Sequence, residues 1–215
     1  MALPWPPLNV DDNMKGQNME YAIMGSGAIG SALARRFVAG KIEVAVANSK
    51  GPESLATLVH ELGPLVKPVT TAEALRAEVV ILAIPFDAVP DAVNGVEWKG
   101  RIVVDATNAV DFPAFKARDL NGRLSTHIVA AAVPGAGVVK AFNTLAAASL
   151  AADPSVPGGR RALFVSGDDA PARGVIVALI ERLGFAAVDL GAIAEGGRAQ
   201  QFGGGVAAKE FVLLG

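Results

Sequence analysis

Over residues 20–110 the apolar positions fall in short bursts, and between the bursts they recur every three or four positions. The bursts at 21–24, 42–47, 66–69, 79–84 and 102–105 have the length of strands. The stretches at 28–39, 52–62, 71–77 and 87–93 carry the helical period. Punctuation agrees with this division. Gly40 follows the first helical stretch and Gly63-Pro64 the second, where chains leave helices. Pro52 suits the first position of a helix, where its missing N–H costs nothing, and Thr71 is placed to cap the third helical stretch. The run 79–84 holds no polar side chain, as expected of a strand covered on both faces. Beyond residue 120 the alternation continues: helix 125–133, strand 138–142, helix 144–151, strand 161–166, helix 170–183, strand 186–190. A glycine-rich stretch opening at Gly196-Gly197-Arg198 then leads to 206–214, predicted as a terminal helix. Strands alternating with helices predict an α/β protein whose mainly parallel sheet is covered on both faces. The first five strands are expected in the order 3-2-1-4-5.

The first strand runs into Gly25-Ser26-Gly27-Ala28-Ile29-Gly30, which opens the first helix. Glycines also mark ordinary turns, so the spacing alone is weak. Strand before and helix after make it a dinucleotide-binding turn in a Rossmann-like, doubly wound sheet. Gly25 allows a tight turn, Gly27 a close approach to a pyrophosphate, and Gly30 close packing of helix on strand. The helix N-terminus then presents unpaired N–H donors and a partial positive charge. The second strand ends in Asn48-Ser49-Lys50, where an NAD site usually places a carboxylate for the adenosine ribose. Two neutral hydrogen-bonding side chains and a cation suit the 2′-phosphate of NADP instead. A plain solvated turn is the competing reading.

Composition narrows the field. The chain has 215 residues, 52% of them hydrophobic, and a net charge of −2. No basic surplus points to nucleic acid or to an anionic membrane surface, and no apolar run approaches the roughly 18 residues of a membrane span. Cysteine is absent, which excludes disulfides and thiolate chemistry and suits a cytoplasmic protein. Residues 1–18 hold three prolines near their start and no secretory pattern; they are expected to form a disordered tail. Residues 19–215 are expected to form a single domain with a small C-terminal α/β extension from about residue 120.

That length leaves little room for a separate substrate domain, and proton-transfer groups are few. Of the two histidines, His60 falls near the adenosine end and suits surface or packing. His127 follows the fifth strand, where either a substrate contact or a surface role is open. The one tyrosine, Tyr21, sits in a core strand. No Ser/Tyr/Lys relay and no metal-ligand spacing occurs, so no catalytic residue is assigned. Carbonyl reduction needs a proton donor, whereas hydride transfer between two redox cofactors needs mainly alignment of two rings. The sequence favours the second.

Several stretches resemble the NADPH-dependent coenzyme F420 reductase family, which includes the reductase domain of the STEAP metalloreductases: Gly25–Gly30, Asn48-Ser49-Lys50-Gly51-Pro52-Glu53, Ala83-Ile84-Pro85-Phe86, Asp105-Ala106-Thr107-Asn108, Val139-Lys140-Ala141-Phe142-Asn143-Thr144 and Gly167-Asp168. The similarity covers about residues 20–215. It implies that Ser26, Gly27, Ala28 and Ile29 hold the pyrophosphate and that Asn48, Ser49 and Lys50 hold the 2′-phosphate, where the family more often has Arg in place of Lys50. It implies that Ala83, Ile84 and Pro85 line the nicotinamide ribose, and that Asn108, Ala141, Phe142 and Asn143 border the meeting place of two rings. A core role for Phe142 is the alternative. It further implies a homodimer, with F420 or a flavin as the hydride partner. One departure matters: STEAP relatives carry Ser-x-Ala-Glu where this chain has Ser125-Thr126-His127-Ile128, without the Glu. Reduction of a small imine or carbonyl, or a non-catalytic NADP-binding redox sensor, are the other functions left open.

Overall fold

The computed structural model describes residues 20–215; the expected tail at 1–18 lies outside the described residues. In chain order the elements are β1 (Tyr21–Met24), α1 (Ala28–Ala39), β2 (Val44–Ala47), α2 (Ala56–Leu62), β3 (Val66–Pro68), α3 (Thr71–Ala74), β4 (Val79–Leu82), α4 (Val89–Ala92) and β5 (Ile102–Asp105). There follow a short hairpin of β6 (Val110–Asp111) and β7 (Lys116–Ala117), then α5 (Ser125–Ala132), β8 (Gly137–Lys140), α6 (Ala147–Ala151) and β9 (Ser155–Val156). The chain ends with β10 (Gly159–Gly167), α7 (Ala170–Arg182), β11 (Ala186–Asp189), α8 (Arg198–Gln200) and β12 (Val212–Leu214).

The main sheet runs β11-β10-β8-β5-β4-β1-β2-β3, so the predicted 3-2-1-4-5 core is present. The strands after residue 120 extend the same sheet. β8 pairs parallel with β5, β10 reverses against β8, and β11 follows β10 in parallel. The two-residue period of each strand sorts its side chains onto opposite faces. Ile23, Ile81, Val104 and Val139 pack with Leu33, Phe37, Leu150 and Ile176 on one face. Ala22, Val80, Val103 and Val138 pack with Leu75, Val89, Val129 and Val133 on the other. Both faces are therefore covered, and strands without polar residues are what this requires. Among the described residues, no helix is long and apolar enough to cross a membrane.

Several boundaries differ from the pattern. The strand expected at 42–47 starts at Val44, and the apolar run 79–84 is strand only to Leu82. The predicted helices at 52–62 and 87–93 each open with a tighter turn, Pro52–Leu55 and Phe86–Ala88. Thr70, not Thr71, caps α3: its hydroxyl accepts from Glu73 N at 3.2 Å, and the Glu73 carboxylate accepts from Thr70 N at 2.8 Å, a reciprocal capping box. The terminal helix predicted at 206–214 is absent. The chain turns there and ends as β12, antiparallel to Gly159–Arg161. β10 outruns β8 and leaves a free edge. Gly159 lets the last strand close on it, since a Cβ there would stand 2.1 Å from the Leu213 carbonyl.

Candidate functional site

The carboxyl ends of β1, β2, β4, β5 and β8 carry the residues singled out in the sequence. Gly25 has φ +110° and its N–H donates to Ala47 O at 2.7 Å, tying the turn to β2. A Cβ on Gly25 would lie 2.2 Å from the Ala83 carbonyl, and one on Gly30 would lie 1.8 Å from the Gly25 carbonyl. Packing of the chain on itself therefore demands both glycines. Gly27 is different: it is exposed, and a Cβ there would meet nothing within 4 Å. The space above it is open to a ligand. Gly27 is also the N-cap of α1, with no side-chain cap and no acidic residue in the first turn, so the donors of Ala28 and Ile29 remain available to an anion.

Asn48 joins this turn to the end of β2. Its Nδ2 donates to Ser26 Oγ at 2.8 Å and to Ser54 Oγ at 2.9 Å, and its Oδ1 accepts the Lys50 backbone N–H at 2.8 Å. The side chain is thus fixed on three sides and shapes the 48–51 turn. Ser49 and Lys50 are exposed, and neither side chain has a partner among the described residues. Ala83 and Ile84 are half-buried and Pro85 is exposed, as the chain turns out of β4.

Further along the edge, Asn108 and Asn143 face each other in a reciprocal pair. Asn108 Nδ2 donates to Asn143 O at 2.9 Å, and Asn143 Nδ2 donates to Asn108 Oδ1 at 3.1 Å. Asn143 Nδ2 also reaches Gln200 O at 2.8 Å. Ala141 and Phe142 are fully buried in the core beside this pair, and Phe142 adopts φ +63°. Its ring is packed in the same core cluster as Val139 and Leu145. Of the asparagine pair, Asn108 is half-buried and Asn143 is buried.

The sequence reading missed the group that anchors this pair. Asp105 and Lys140 are register partners on β5 and β8, and Lys140 Nζ donates to Asp105 Oδ2 at 2.9 Å and to Thr107 O at 3.1 Å. Thr126 and Thr107 hydroxyls donate to the same carboxylate at 2.8 and 2.6 Å. Burial alone would raise the Asp105 pKa; the Lys140 charge and these hydrogen bonds outweigh it and hold the carboxyl below the usual range. The available signal was a charge ending each of two wholly apolar strands, since buried charges occur paired. Gln200 was missed too. Its Nε2 donates to Phe164 O at 3.0 Å and Lys140 O at 3.2 Å, and its Oε1 accepts from Ser166 Oγ at 2.5 Å. It fastens the glycine-rich tail beneath the site.

His127 is exposed on α5 and His60 on α2. Tyr21 is buried, and burial chiefly pushes its hydroxyl well above the usual tyrosine range, so it stays protonated. No cluster among the described residues could hold a metal ion.

Residues 20–109 match the family described as NADP oxidoreductase, coenzyme F420-dependent. A hypothetical protein, SMa0349 of Sinorhizobium meliloti, is 54% identical in a solved structure; the match covers 93% of this chain and 98% of that one, with a TM-score of 0.89. A candidate F420-dependent NADP reductase from Arthrobacter sp. FB24 is 28% identical over 82% of this chain and 86% of its own, with a TM-score of 0.70. The metalloreductase STEAP3 of Rattus norvegicus is 30% identical over 177 residues, which make up 81% of this chain and 34% of that protein. The chain thus spans about a third of that curated relative.

Proposed function

Residues 20–109 are homologous to the family of coenzyme F420-dependent NADP oxidoreductases, and on that premise we propose that the chain binds NADP(H) and exchanges hydride with a second redox cofactor, F420 or a flavin. The observation that carries the reading is the joined cradle at the ends of β1 and β2. Ser26 and Asn48 are hydrogen-bonded at 2.8 Å, the space over Gly27 is open, and Lys50 stands unpaired beside them among the described residues. Backbone donors of Gly27, Ala28 and Ile29 would hold the pyrophosphate. Asn48, Ser49 and Lys50 would hold the 2′-phosphate, the cation acting as a point charge. Ala83, Ile84 and Pro85 would line the nicotinamide ribose, and the Asn108–Asn143 pair would bound the far side of the ring. Held by these residues, NADPH would supply a hydride on going to NADP⁺, and the acceptor ring would take it up with a proton from solvent.

The chain's own part is positioning and exclusion of water, the work left to a protein when cofactors carry the chemistry. Asp105 and Lys140, the charged pair at this edge, are wholly buried and committed to each other, which supports positioning rather than proton transfer. The test is spectroscopic: NADPH with oxidised F420 or FMN is followed at about 340 nm and at the acceptor band. Loss of both bands at matched rates is expected. Tight NADPH binding without oxidation by either acceptor would leave a nucleotide-binding sensor instead.

A further inference from the structure

Beneath the β6–β7 hairpin a cleft of about 200 Å³ opens beside Ala109, the residue after the paired Asn108. Three arginines converge on it, with one carboxylate. Arg118 is committed: it bridges Asp87 and Asp111 and so pins the hairpin to the segment after β4. Asp119 accepts the Asn121 backbone N–H at 2.9 Å. Arg123 and Arg198 line the cleft and are exposed, and their guanidinium groups make no hydrogen bond or ion pair among the described residues. Ser125 lines it too. That residue is 1% exposed, and its hydroxyl has no partner among the described residues. It opens α5, whose N-cap Leu124 has no side-chain oxygen, and the Ser125 backbone N–H donates to Gln201 Oε1 at 3.3 Å.

The hairpin adds a second, independent feature. Phe112 and Phe115 are 75% and 61% exposed. Phe115 packs edge-to-face on Phe112, with centroids 5.7 Å apart, and on Phe202 at 5.2 Å, and Phe202 lines the cleft. An aromatic ladder thus leads from the hairpin tip to the two unpaired arginines. Phenyl rings kept in water mark a surface that something covers. Arginine beside aromatic faces suits a flat ring with an acidic substituent.

We infer that this cleft holds the anionic group of the second redox molecule, a phosphate or carboxylate between Arg123 and Arg198, with the planar portion of that molecule against Phe202 and Phe115. The inference rests on the hydride-exchange reading and adds to it the ligand class: a redox ring bearing an acid, not a bare ring. Arg118 shapes the cleft without spending its charge on the ligand.

Three flavins with one ring system separate the cases: riboflavin, FMN and a carboxyalkyl flavin, each with saturating NADPH. The KM for an acid-bearing flavin is expected ~10-fold or more below that for riboflavin, the scale of charge-assisted pairing. A lower value for FMN assigns phosphate, and a lower value for the carboxyalkyl flavin assigns carboxylate. In the double variant Arg123→Ala, Arg198→Ala the ratio should fall toward one while the melting temperature holds. Equal KM values for all three flavins, or a ratio preserved in the double variant, overturn the inference and leave the hydride-exchange reading standing. If neither a flavin nor F420 is turned over, that reading fails. The cleft is then read by flavin fluorescence quenching: tighter binding of an acid-bearing flavin supports it, and equal affinity for FMN, carboxyalkyl flavin and riboflavin overturns it.

Discussion

Lys140 Nζ lies 2.9 Å from Asp105 Oδ2, and neither side chain has any exposed surface. The pair crosses between the ends of two parallel strands at the edge where the candidate site lies. Through the Thr107 carbonyl, Lys140 also holds the loop that delivers Asn108. A buried ion pair is weak evidence for added stability, but breaking one is costly, because the survivor keeps its charge without a partner.

Lys140→Met should therefore destabilise the fold by about 3–5 kcal/mol, as for one partner removed from a buried pair. Urea denaturation measures it. A double variant that also carries Asp105→Asn should lose less than the sum of the two single changes. Strict additivity would mean that the two side chains are not coupled.

The pair also sets part of the acid response. Asp105 is held below the usual carboxylate range, so its ionised form stabilises the fold above the unfolded value of about 4. That contribution is lost as pH falls through the lower folded value. The stability gap between the wild type and Asp105→Asn should stay constant above about pH 5 and shrink below about pH 4. Denaturation curves at neutral and acid pH test this, and a gap that widens in acid would reverse the sign.

Two glycines of the first turn should separate folding from binding. At Gly25 a Cβ meets the Ala83 carbonyl at 2.2 Å and the backbone has φ +110°, so Gly25→Ala should lower the melting temperature markedly. At Gly27 a Cβ meets no protein atom within 4 Å. Gly27→Ala should melt like the wild type yet bind NADPH ~10-fold or more weakly, the cost of crowding a close phosphate contact. Calorimetry and thermal melts on both variants check the contrast.

NADPH should bind ~10-fold or more tightly than NADH, the scale of one or two charge-assisted phosphate contacts. Lys50→Ala should reduce that ratio and leave NADH affinity nearly unchanged. Titration of both nucleotides into both proteins decides it, and equal losses would detach Lys50 from the 2′-phosphate.

His127→Ala should leave turnover with F420 or a flavin within about a factor of two, because hydride passes between rings without a side-chain acid. The side chain is exposed on α5. A large loss of activity with an imine or carbonyl substrate would instead make His127 the proton donor of a small-molecule reductase.

Local pattern carried the fold a long way. Wholly apolar runs such as 79–82 and 102–104 announced strands buried on both faces, and Gly25 to Gly30 announced the tight turn between β1 and α1. These are short-range signals, because strand length, helical period and glycine dihedrals are properties of neighbouring residues. The roles of Asn108 and Asn143 came from resemblance, and only the structure shows them facing each other.

The chain order of apolar and glycine positions was enough to determine the strand–helix alternation, the five-strand core and the glycine turn between β1 and α1. Tertiary structure decided the rest: Asp105 opposite Lys140 across 35 residues of sequence, Gln200 beneath Asn143, Phe142 turned into the core, and Phe211 to Leu214 drawn into a strand along β10. Each depends on which distant segment supplies a partner for a polar group, a ring or an open edge, and that choice is made by the packing of the whole sheet.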